Sequence, residues 1–193
     1  MQYLSSDDIT TLELQANTIR QSIIEMLTEA KSGHTAGPLD MADVFTLLYF
    51  GIMNHDPKNP DWDERDRLIL SAGHICPVLY ATMAHAGYFP VEELMTLRKF
   101  GTRLQGHPHR ESLPGLETSS GPLGSGLSQA VGMALAERMN NPYSGKFFYC
   151  ITGDGELNEG QIWEAAMLAG KEKLNNLIVI VDRNGIQIVG YTK

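Results

Sequence analysis

The sequence predicts an α/β fold in which an open, mostly parallel sheet carries helices on both faces. Three strand-like runs at residues 67–71, 146–152 and 177–182 support this class, and segments with helical spacing of apolar residues separate them. Strand–helix–strand units with short links imply parallel pairing. Because neither a linker nor an internal repeat interrupts the chain, we expect one domain over residues 1–193.

Two helices are predicted before the first strand. Apolar residues recur near helical spacing over residues 6–31, and the polar start of this segment suits a helix N-terminus. Residues 32–38 form a glycine-bearing break. Residues 40–51 predict a second helix, which is too uniformly apolar for a surface position and should be buried. Residues 54–66 are rich in Pro and Asp and predict a loop.

The strand at 67–71 is followed by a mixture of helices and irregular chain. The patterns predict helices over residues 74–86, 91–100, 126–139 and 159–173. Residues 101–126 hold Gly, Pro, Ser and His without any period. An irregular segment of this length inside a compact domain is usually functional or mobile. We therefore expect catalytic or binding residues in this segment.

Composition excludes several classes of protein. Hydrophobic residues make up 42% and charged residues 20% of the chain, as in a globular protein. The net charge of −8 comes without a basic cluster, so neither nucleic acid nor a membrane surface is an expected partner. There is no apolar run of the roughly 20 residues that span a bilayer, and the first residues are polar, which favours a cytoplasmic location. Cys76 and Cys150 are interpreted as reduced core residues.

Polar and glycine residues follow two consecutive strands where each strand ends. Gly153, Asp154 and Gly155 come directly after the strand at 146–152, and Asn184 follows Asp154 by 30 residues, after the next strand. Parallel strands joined by one crossover bring their carboxyl ends together, where ligands bind. One carboxylate and one amide at adjoining strand ends suit Mg²⁺, which takes its remaining oxygens from a phosphate. Either motif alone is also a common turn.

Taken together, these motifs resemble the cofactor signature of thiamine-diphosphate enzymes, which begins with Gly, Asp, Gly and ends with Asn about thirty residues later. Further motifs resemble, in order and spacing, the amino-terminal half of transketolases, over essentially the whole chain. They are SGH at 32–34, SAGH at 71–74, GHP at 106–108 and GPLG at 121–124.

The resemblance implies roles for individual residues. Asp154 and Asn184 would bind the metal through their side chains, and Ile186 through its main-chain carbonyl. His34 and His107 would be catalytic, forming hydrogen bonds to substrate oxygens as protons move. The residues implied in cofactor binding are His74, Gly121, Pro122, Leu123, Gly153, Asp154, Gly155, Glu156 and Asn184. The implied cofactors are thiamine diphosphate and Mg²⁺, with Ca²⁺ or Mn²⁺ as substitutes.

The implied function is transfer of a two-carbon ketol unit from a ketose phosphate to an aldose phosphate. Dihydroxyacetone synthase and deoxyxylulose-phosphate synthase, or a noncatalytic cofactor-binding subunit, are the alternatives. The chain departs from the usual transketolase pattern at Thr35 and Ala36, where Pro and Gly are common, and at Val189, where Asp is common. None of these changes removes an expected metal ligand.

The family's site also needs a pyrimidine-binding domain, and 193 residues leave no room for one after the diphosphate half. The chain is therefore expected to be a subunit, a fragment or a relic, with a diphosphate domain that lacks its later strands and helices. The expected partner is a carboxyl-terminal, pyrimidine-binding transketolase subunit. Apolar and small residues on the helices at 126–139 and 159–173 suggest more apolar surface than one short sheet covers. We expect a homodimer of this chain, or a heterotetramer with two copies of the partner.

Overall fold

The structure, a computed structural model, describes residues 4–188 and 190–192. The chain divides into two compact units, and each is described by itself. The first unit comprises Met1–Pro60 and His74–Gly106, and the second comprises Asp61–Gly73 and His107–Lys193. The expectation of one cofactor-binding domain stays a prediction.

The described part of the first unit is helical. Its longest helix, α1 (Ser6–Ala30), begins with a capping box in which Ser5 and Asp8 satisfy each other's main-chain amides. One face of α1 is buried by packing on the later helices. Those helices are α2 (Ala36–Asp40), α3 (Ala42–Leu47) and α4 (Cys76–Ala86). The long first helix is confirmed, whereas the short α2 was not predicted.

The second predicted helix, residues 40–51, is divided and only partly buried. Helix α3 runs into a π-helical turn at Leu48–Ile52, closed by the amide of Met53 on the carbonyl of Leu48. Phe50 is 39% exposed, so the expectation of full burial is wrong for this end. The reason is geometric: a helix that packs on one side cannot bury its whole circumference.

The helix predicted over residues 91–100 is also wrong in type and length. Val91–Thr96 forms a 3₁₀ helix, and the chain then leaves helical geometry. The Thr96 hydroxyl donates to the carbonyl of Glu93, and Arg98 adopts a left-handed φ of 59°. Arg98 instead donates its main-chain amide to the carbonyl of Leu104, which turns the chain back.

The second unit is built on a three-stranded parallel sheet in the order β1 (Arg67–Leu70), β2 (Phe148–Gly153) and β3 (Leu177–Asp182). Two further strands, β4 (Ile186–Gln187) and β5 (Gly190–Tyr191), form an antiparallel hairpin. The α/β class and the open, mostly parallel sheet are confirmed. All three predicted main strands are present.

The second unit also contains two helices, of which the first packs on the sheet and the second packs on the first. They are α5 (Ser125–Asn140) and α6 (Gly160–Glu172), and both predicted helices are confirmed. Leu127 and Val131 of α5 and Ile162 of α6 belong to one buried cluster with residues of β1 and β2, and α6 packs chiefly on α5. Strand β3 is less covered, since its aliphatic side chains at 178, 179 and 181 are 39–41% exposed. Within the described residues, none of the helices is long and apolar enough to cross a membrane.

Both cysteines are buried and free, as expected. Cys76 donates its thiol to the carbonyl of Gly106 at 3.2 Å, and burial raises its pKa to about 12. Burial, reinforced by the charge of Glu156, raises the pKa of Cys150 as well. A raised pKa keeps a thiol protonated, and the thiolate is the reactive form.

We therefore expect neither cysteine to react with a thiol reagent such as dithionitrobenzoate at neutral pH. The same chain unfolded in guanidinium chloride should release both equivalents, which provides the internal control. Rapid labelling of the native chain would contradict the burial described here.

Candidate functional site

The turn after β2 carries the first predicted motif. Gly153 ends β2, and Asp154 caps a 3₁₀ turn at Gly155–Asn158 by accepting the amide of Gly155 at 2.9 Å. Helix α6 begins only after this turn. The 3₁₀ turn thus lies between the motif and α6, which begins one residue after its predicted start at residue 159.

The carboxylate of Asp154 joins the ends of β2 and β3. The register pairs Gly153 with Asp182, so the segments that follow both strands lie side by side. Oδ2 of Asp154 accepts the amide of Gly185 at 2.8 Å and the hydroxyl of Thr192 at 2.6 Å. The ends of β2 and β3 therefore adjoin, as predicted from the order of the strands.

These contacts also set the protonation of Asp154. Its burial favours the neutral acid and raises the pKa, but hydrogen bonds from Thr192, Gly185 and Gly155 favour the carboxylate. The hydrogen bonds outweigh burial, so the pKa of Asp154 lies below its usual value. The side chain is therefore an anion at neutral pH, as a metal ligand requires.

Asn184 forms its own turn beside Asp154. Its Oδ1 accepts the amide of Ile186 at 2.9 Å, and its Nδ2 donates to Asp182 at 3.3 Å. Gly185 has a φ of 77°, which a residue with a side chain rarely adopts. Ile186 then enters the β4–β5 hairpin. The departure at Val189 lies outside the described residues.

The donor set at these turns is suited to a hard cation. It comprises one ionised carboxylate, one amide oxygen and the main-chain carbonyls of the 184–186 turn, and Mg²⁺ prefers oxygen ligands of these kinds. Among residues 4–188 and 190–192 there is no group of three or more His, Cys, Asp or Glu that could hold a metal. A metal here would thus depend on Asp154 together with amide and carbonyl oxygens.

Glu156 is placed differently from Asp154. It is 2% exposed, and its carboxylate accepts the hydroxyl of Ser71 and the main-chain amides of Gly124 and Gly153. All of these partners belong to the second unit. The side chain therefore contacts protein donors on several segments.

The GPLG segment leads into α5. Gly121 and Gly124 have φ values of 150° and 84°, which favour glycine. Pro122 and Leu123, which lie between these glycines, are exposed. The carbonyl of Leu123 accepts a hydrogen bond of 3.0 Å from the side-chain amide of Gln161. The segment thus presents an apolar surface, which suits the aminopyrimidine ring of the cofactor, the part that the transketolase resemblance implies for this stretch.

His107 lies close to the end of β1 and to the GPLG segment. A side chain on Gly73 would approach within 3.0 Å of Cδ2 of His107, 2.7 Å of Cβ of Ser120 and 3.1 Å of the amide of Gly121. Glycine is therefore required at position 73 for this close approach. His107 itself is exposed.

The other two predicted histidines belong to the first unit. The rings of His34 and His74 meet edge to face, with centroids 5.0 Å apart. His34 is exposed in the break before α2, and His74 lies in a 3₁₀ turn at Gly73–Ile75. The structure therefore brings these two side chains together within their unit.

Sequence reasoning missed two residues that contact the predicted ones. Thr192 donates to Asp154, and Ser71 donates to Glu156. Ser71 directly follows β1, so the rule that polar residues at strand ends form sites could have identified it. Thr192 follows the short hairpin, and no local pattern marks it.

The fold is that of a thiamine-diphosphate-binding domain, and residues 12–193 match the family described as transketolase, thiamine diphosphate binding domain. The chain belongs to the transketolase family.

Similar proteins include separate subunits and single-chain enzymes. The 6-deoxy-6-sulfo-D-fructose transketolase subunit of Clostridium sp. (strain MSTE9) is 47% identical over 97% of this chain and 68% of its own length. An apulose-4-phosphate transketolase subunit of Phocaeicola vulgatus is 44% identical over 96% of this chain and 65% of its own. The chloroplastic transketolase of Spinacia oleracea is 44% identical, but only 27% of it is covered.

Solved structures agree with this assignment. The transketolase of Leishmania mexicana superposes with a TM-score of 0.87 at 38% identity, over 96% of this chain and 28% of that one. The transketolase of Campylobacter jejuni also gives 0.87, at 40% identity over 93% and 29%. The chain thus spans about two thirds of the subunit-type relatives and just over a quarter of the single-chain transketolases.

Proposed function

We propose that this chain is the diphosphate-binding part of a transketolase that transfers a two-carbon ketol unit from a ketose phosphate to an aldose phosphate. The observation that carries the proposal is the hydrogen bond from Gly185 to Asp154, which joins the Asp154 and Asn184 turns at the ends of two parallel strands. The family match over residues 12–193 supports it. The proposal includes a role in the pentose phosphate pathway.

In this proposal the two turns hold the diphosphate through Mg²⁺. Asp154 supplies the charged ligand, and Asn184 and the carbonyl of Ile186 supply neutral oxygens. The main chain at Gly153 and Gly155 allows close approach of the diphosphate oxygens. His74 contributes a further contact to the diphosphate. Ca²⁺ or Mn²⁺ would substitute for Mg²⁺ because both accept oxygen ligands.

Two exposed histidines are proposed to bind the substrate. His34 and His107 donate hydrogen bonds to the hydroxyl and carbonyl oxygens of the substrate as protons move to and from these oxygens. Such donors stabilise charge that develops on oxygen in the transition state. Thiamine diphosphate, when bound, supplies the nucleophilic carbon that accepts and releases the two-carbon unit. Gly121, Pro122 and Leu123 lie against its pyrimidine ring.

We further propose that the chain works with a carboxyl-terminal, pyrimidine-binding partner subunit. Two relatives, of which this chain covers 68% and 65%, are named as subunits of transketolases. Helix α6 exposes Trp163, Met167 and Leu168 by 57%, 68% and 41%, which is apolar surface suited to an interface. A homodimer of this chain flanked by two partner copies would exclude water from the cofactor rings.

Light scattering of the purified chain, alone and mixed with such a partner, tests the assembly. We expect a dimer alone and a heterotetramer with the partner, and ketol transfer only in the mixture. Trp163→Glu on the exposed face of α6 should weaken the assembly, whereas Phe100→Glu, also an exposed aromatic but in the first unit, provides the control. A monomer that transfers ketol units without any partner would contradict the proposal.

The same mixture defines the substrate. Ketose phosphates should serve as donors and aldose phosphates as acceptors. The panel should also contain 6-deoxy-6-sulfo-D-fructose and apulose-4-phosphate, the sugars in the names of the two subunit-type relatives. Turnover of 6-deoxy-6-sulfo-D-fructose with no turnover of any ketose phosphate would replace the proposed donor class and leave the reaction type intact.

A further inference from the structure

We propose that Glu156 is a positioning residue that fixes the GPLG segment relative to the metal-binding turn. The proposal rests on the proposed function, because it gives that site a rigid frame. It differs from the role that the resemblance implies, since the Glu156 side chain would act on protein groups and would not contact the cofactor.

Glu156 accepts three hydrogen bonds, and their donors come from three separate segments of the chain. Oε1 accepts the amide of Gly124 at 2.6 Å and the hydroxyl of Ser71, and Oε2 accepts the amide of Gly153 at 3.2 Å. Ser71 follows β1, Gly124 is the N-cap of α5, and Gly153 ends β2. A single carboxylate therefore connects the ends of two strands and the start of a helix.

The side chain of Glu156 is buried. Glu156 is 2% exposed, and an ionised carboxylate is stable inside a protein only when donors surround it. Three donors satisfy most of its lone pairs, and the N-terminus of α5 adds a favourable dipole. An anion in this position would repel a diphosphate that touched it directly. The geometry therefore favours an indirect role.

Glu156 also anchors one end of the GPLG segment. The segment between Gly121 and Gly124 contains two left-handed glycines, and glycine backbone is costly to order. One end is fixed by the Ser120 hydroxyl, which donates to the carbonyl of Leu70 at 2.6 Å. The other end is fixed by the bond from Gly124 to Glu156. Removing the second anchor weakens the hold on the end next to Leu123, whose carbonyl still accepts a hydrogen bond from Gln161.

The same carboxylate holds Gly153, which directly precedes Asp154. Glu156 thus sets the position of the GPLG surface and of the metal-binding turn at once. A preorganised site binds its ligand more tightly because less ordering is required on binding. We expect the loss of this anchor to weaken cofactor binding even though every proposed ligand remains.

Glu156→Gln tests the proposal with little change in shape. Glutamine has an NH₂ group in place of one carboxylate oxygen, and that group cannot accept a hydrogen bond. At least one of the three hydrogen bonds is therefore lost. Native-state hydrogen exchange of the chain without cofactor should be faster by roughly tenfold or more at Gly124, Gly153 or both. Exchange at Ile151 in the middle of the sheet should stay unchanged. Glu111→Gln, an exposed carboxylate of the same unit, is the matched control.

Calorimetry with thiamine diphosphate and Mg²⁺, in the presence of the partner subunit, supplies the second measurement. Affinity should fall roughly tenfold in Glu156→Gln and stay at the wild-type level in Glu111→Gln. If Glu156→Gln fails to fold, Ser71→Ala removes one donor, keeps the carboxylate, and should still accelerate exchange at Gly124.

Several outcomes would overturn the proposal. Unchanged exchange at both glycines in the folded variant would show that the carboxylate does not anchor them. Weaker cofactor binding with unchanged exchange would assign Glu156 a direct cofactor contact. Faster exchange with wild-type affinity would show that the anchor does not serve the site. A wild-type chain that binds no thiamine diphosphate would refute the proposed function instead, and the exchange data would still test the anchor.

Discussion

Asp154→Ala should abolish most of the Mg²⁺-dependent affinity for thiamine diphosphate. The variant removes the proposed charged metal ligand and the acceptor that joins the ends of β2 and β3. Loss of a partner outside the ligand shell typically costs about 10- to 100-fold in metal affinity, so loss of the ligand itself should exceed about 100-fold. Asn184→Ala removes a neutral oxygen and should cost less.

Titration calorimetry of the chain with its partner subunit measures both effects. Asp61→Ala, an exposed carboxylate in the same unit, is the matched control and should bind like wild type. Thermal unfolding without cofactor shows whether the turn has collapsed, because Asp154 also accepts bonds from Gly185 and Thr192. Wild-type affinity in both Asp154→Ala and Asn184→Ala would refute the site.

His107→Ala should lower turnover by about 10²- to 10⁴-fold, the usual effect of losing a proton-transfer or oxyanion partner. Affinity for thiamine diphosphate should stay nearly unchanged, because the role proposed for His107 concerns the substrate. The imidazole is exposed and lies beside Gly73 and Gly121, so its removal leaves no large buried cavity.

His109→Ala is the matched control for this experiment, since His109 is also exposed and lies two residues further along the chain. Single-turnover rates and cofactor titrations, measured on the same reconstituted samples, separate the two roles. A collapse of cofactor affinity with normal turnover per bound cofactor would reverse the assignment and place His107 on the cofactor.

Several features of the fold could be predicted because they depend on local sequence. Aliphatic runs predicted β1 and β3, and helical spacing predicted α1, α5 and α6. The turns at Asp154 and Asn184 could be paired from their positions in the chain, because carboxyl ends of neighbouring parallel strands meet at one edge. The geometry places those turns side by side, within hydrogen-bond distance of each other.

Local patterns failed where competing contacts decided the backbone. Residues 91–100 have helical spacing, yet Thr96 bonds to Glu93 and Arg98 turns left-handed to reach Leu104, so only a 3₁₀ helix forms. The apolar segment 40–51 gave no sign of the π-helical turn at Leu48–Ile52, nor of the exposure of Phe50. Tertiary packing overrode propensity in both places.

The sequence by itself determined the fold class, the two strand-end turns and the family, because apolar periodicity and short glycine motifs are local properties. Only the tertiary structure decided which donors surround each carboxylate. Ser71 and Glu156 are 85 residues apart, and Asp154 and Thr192 are 38 apart, yet each pair forms a hydrogen bond. Such bonds depend on side-chain positions within a few tenths of an ångström, which folding of the whole sheet sets and no local pattern encodes.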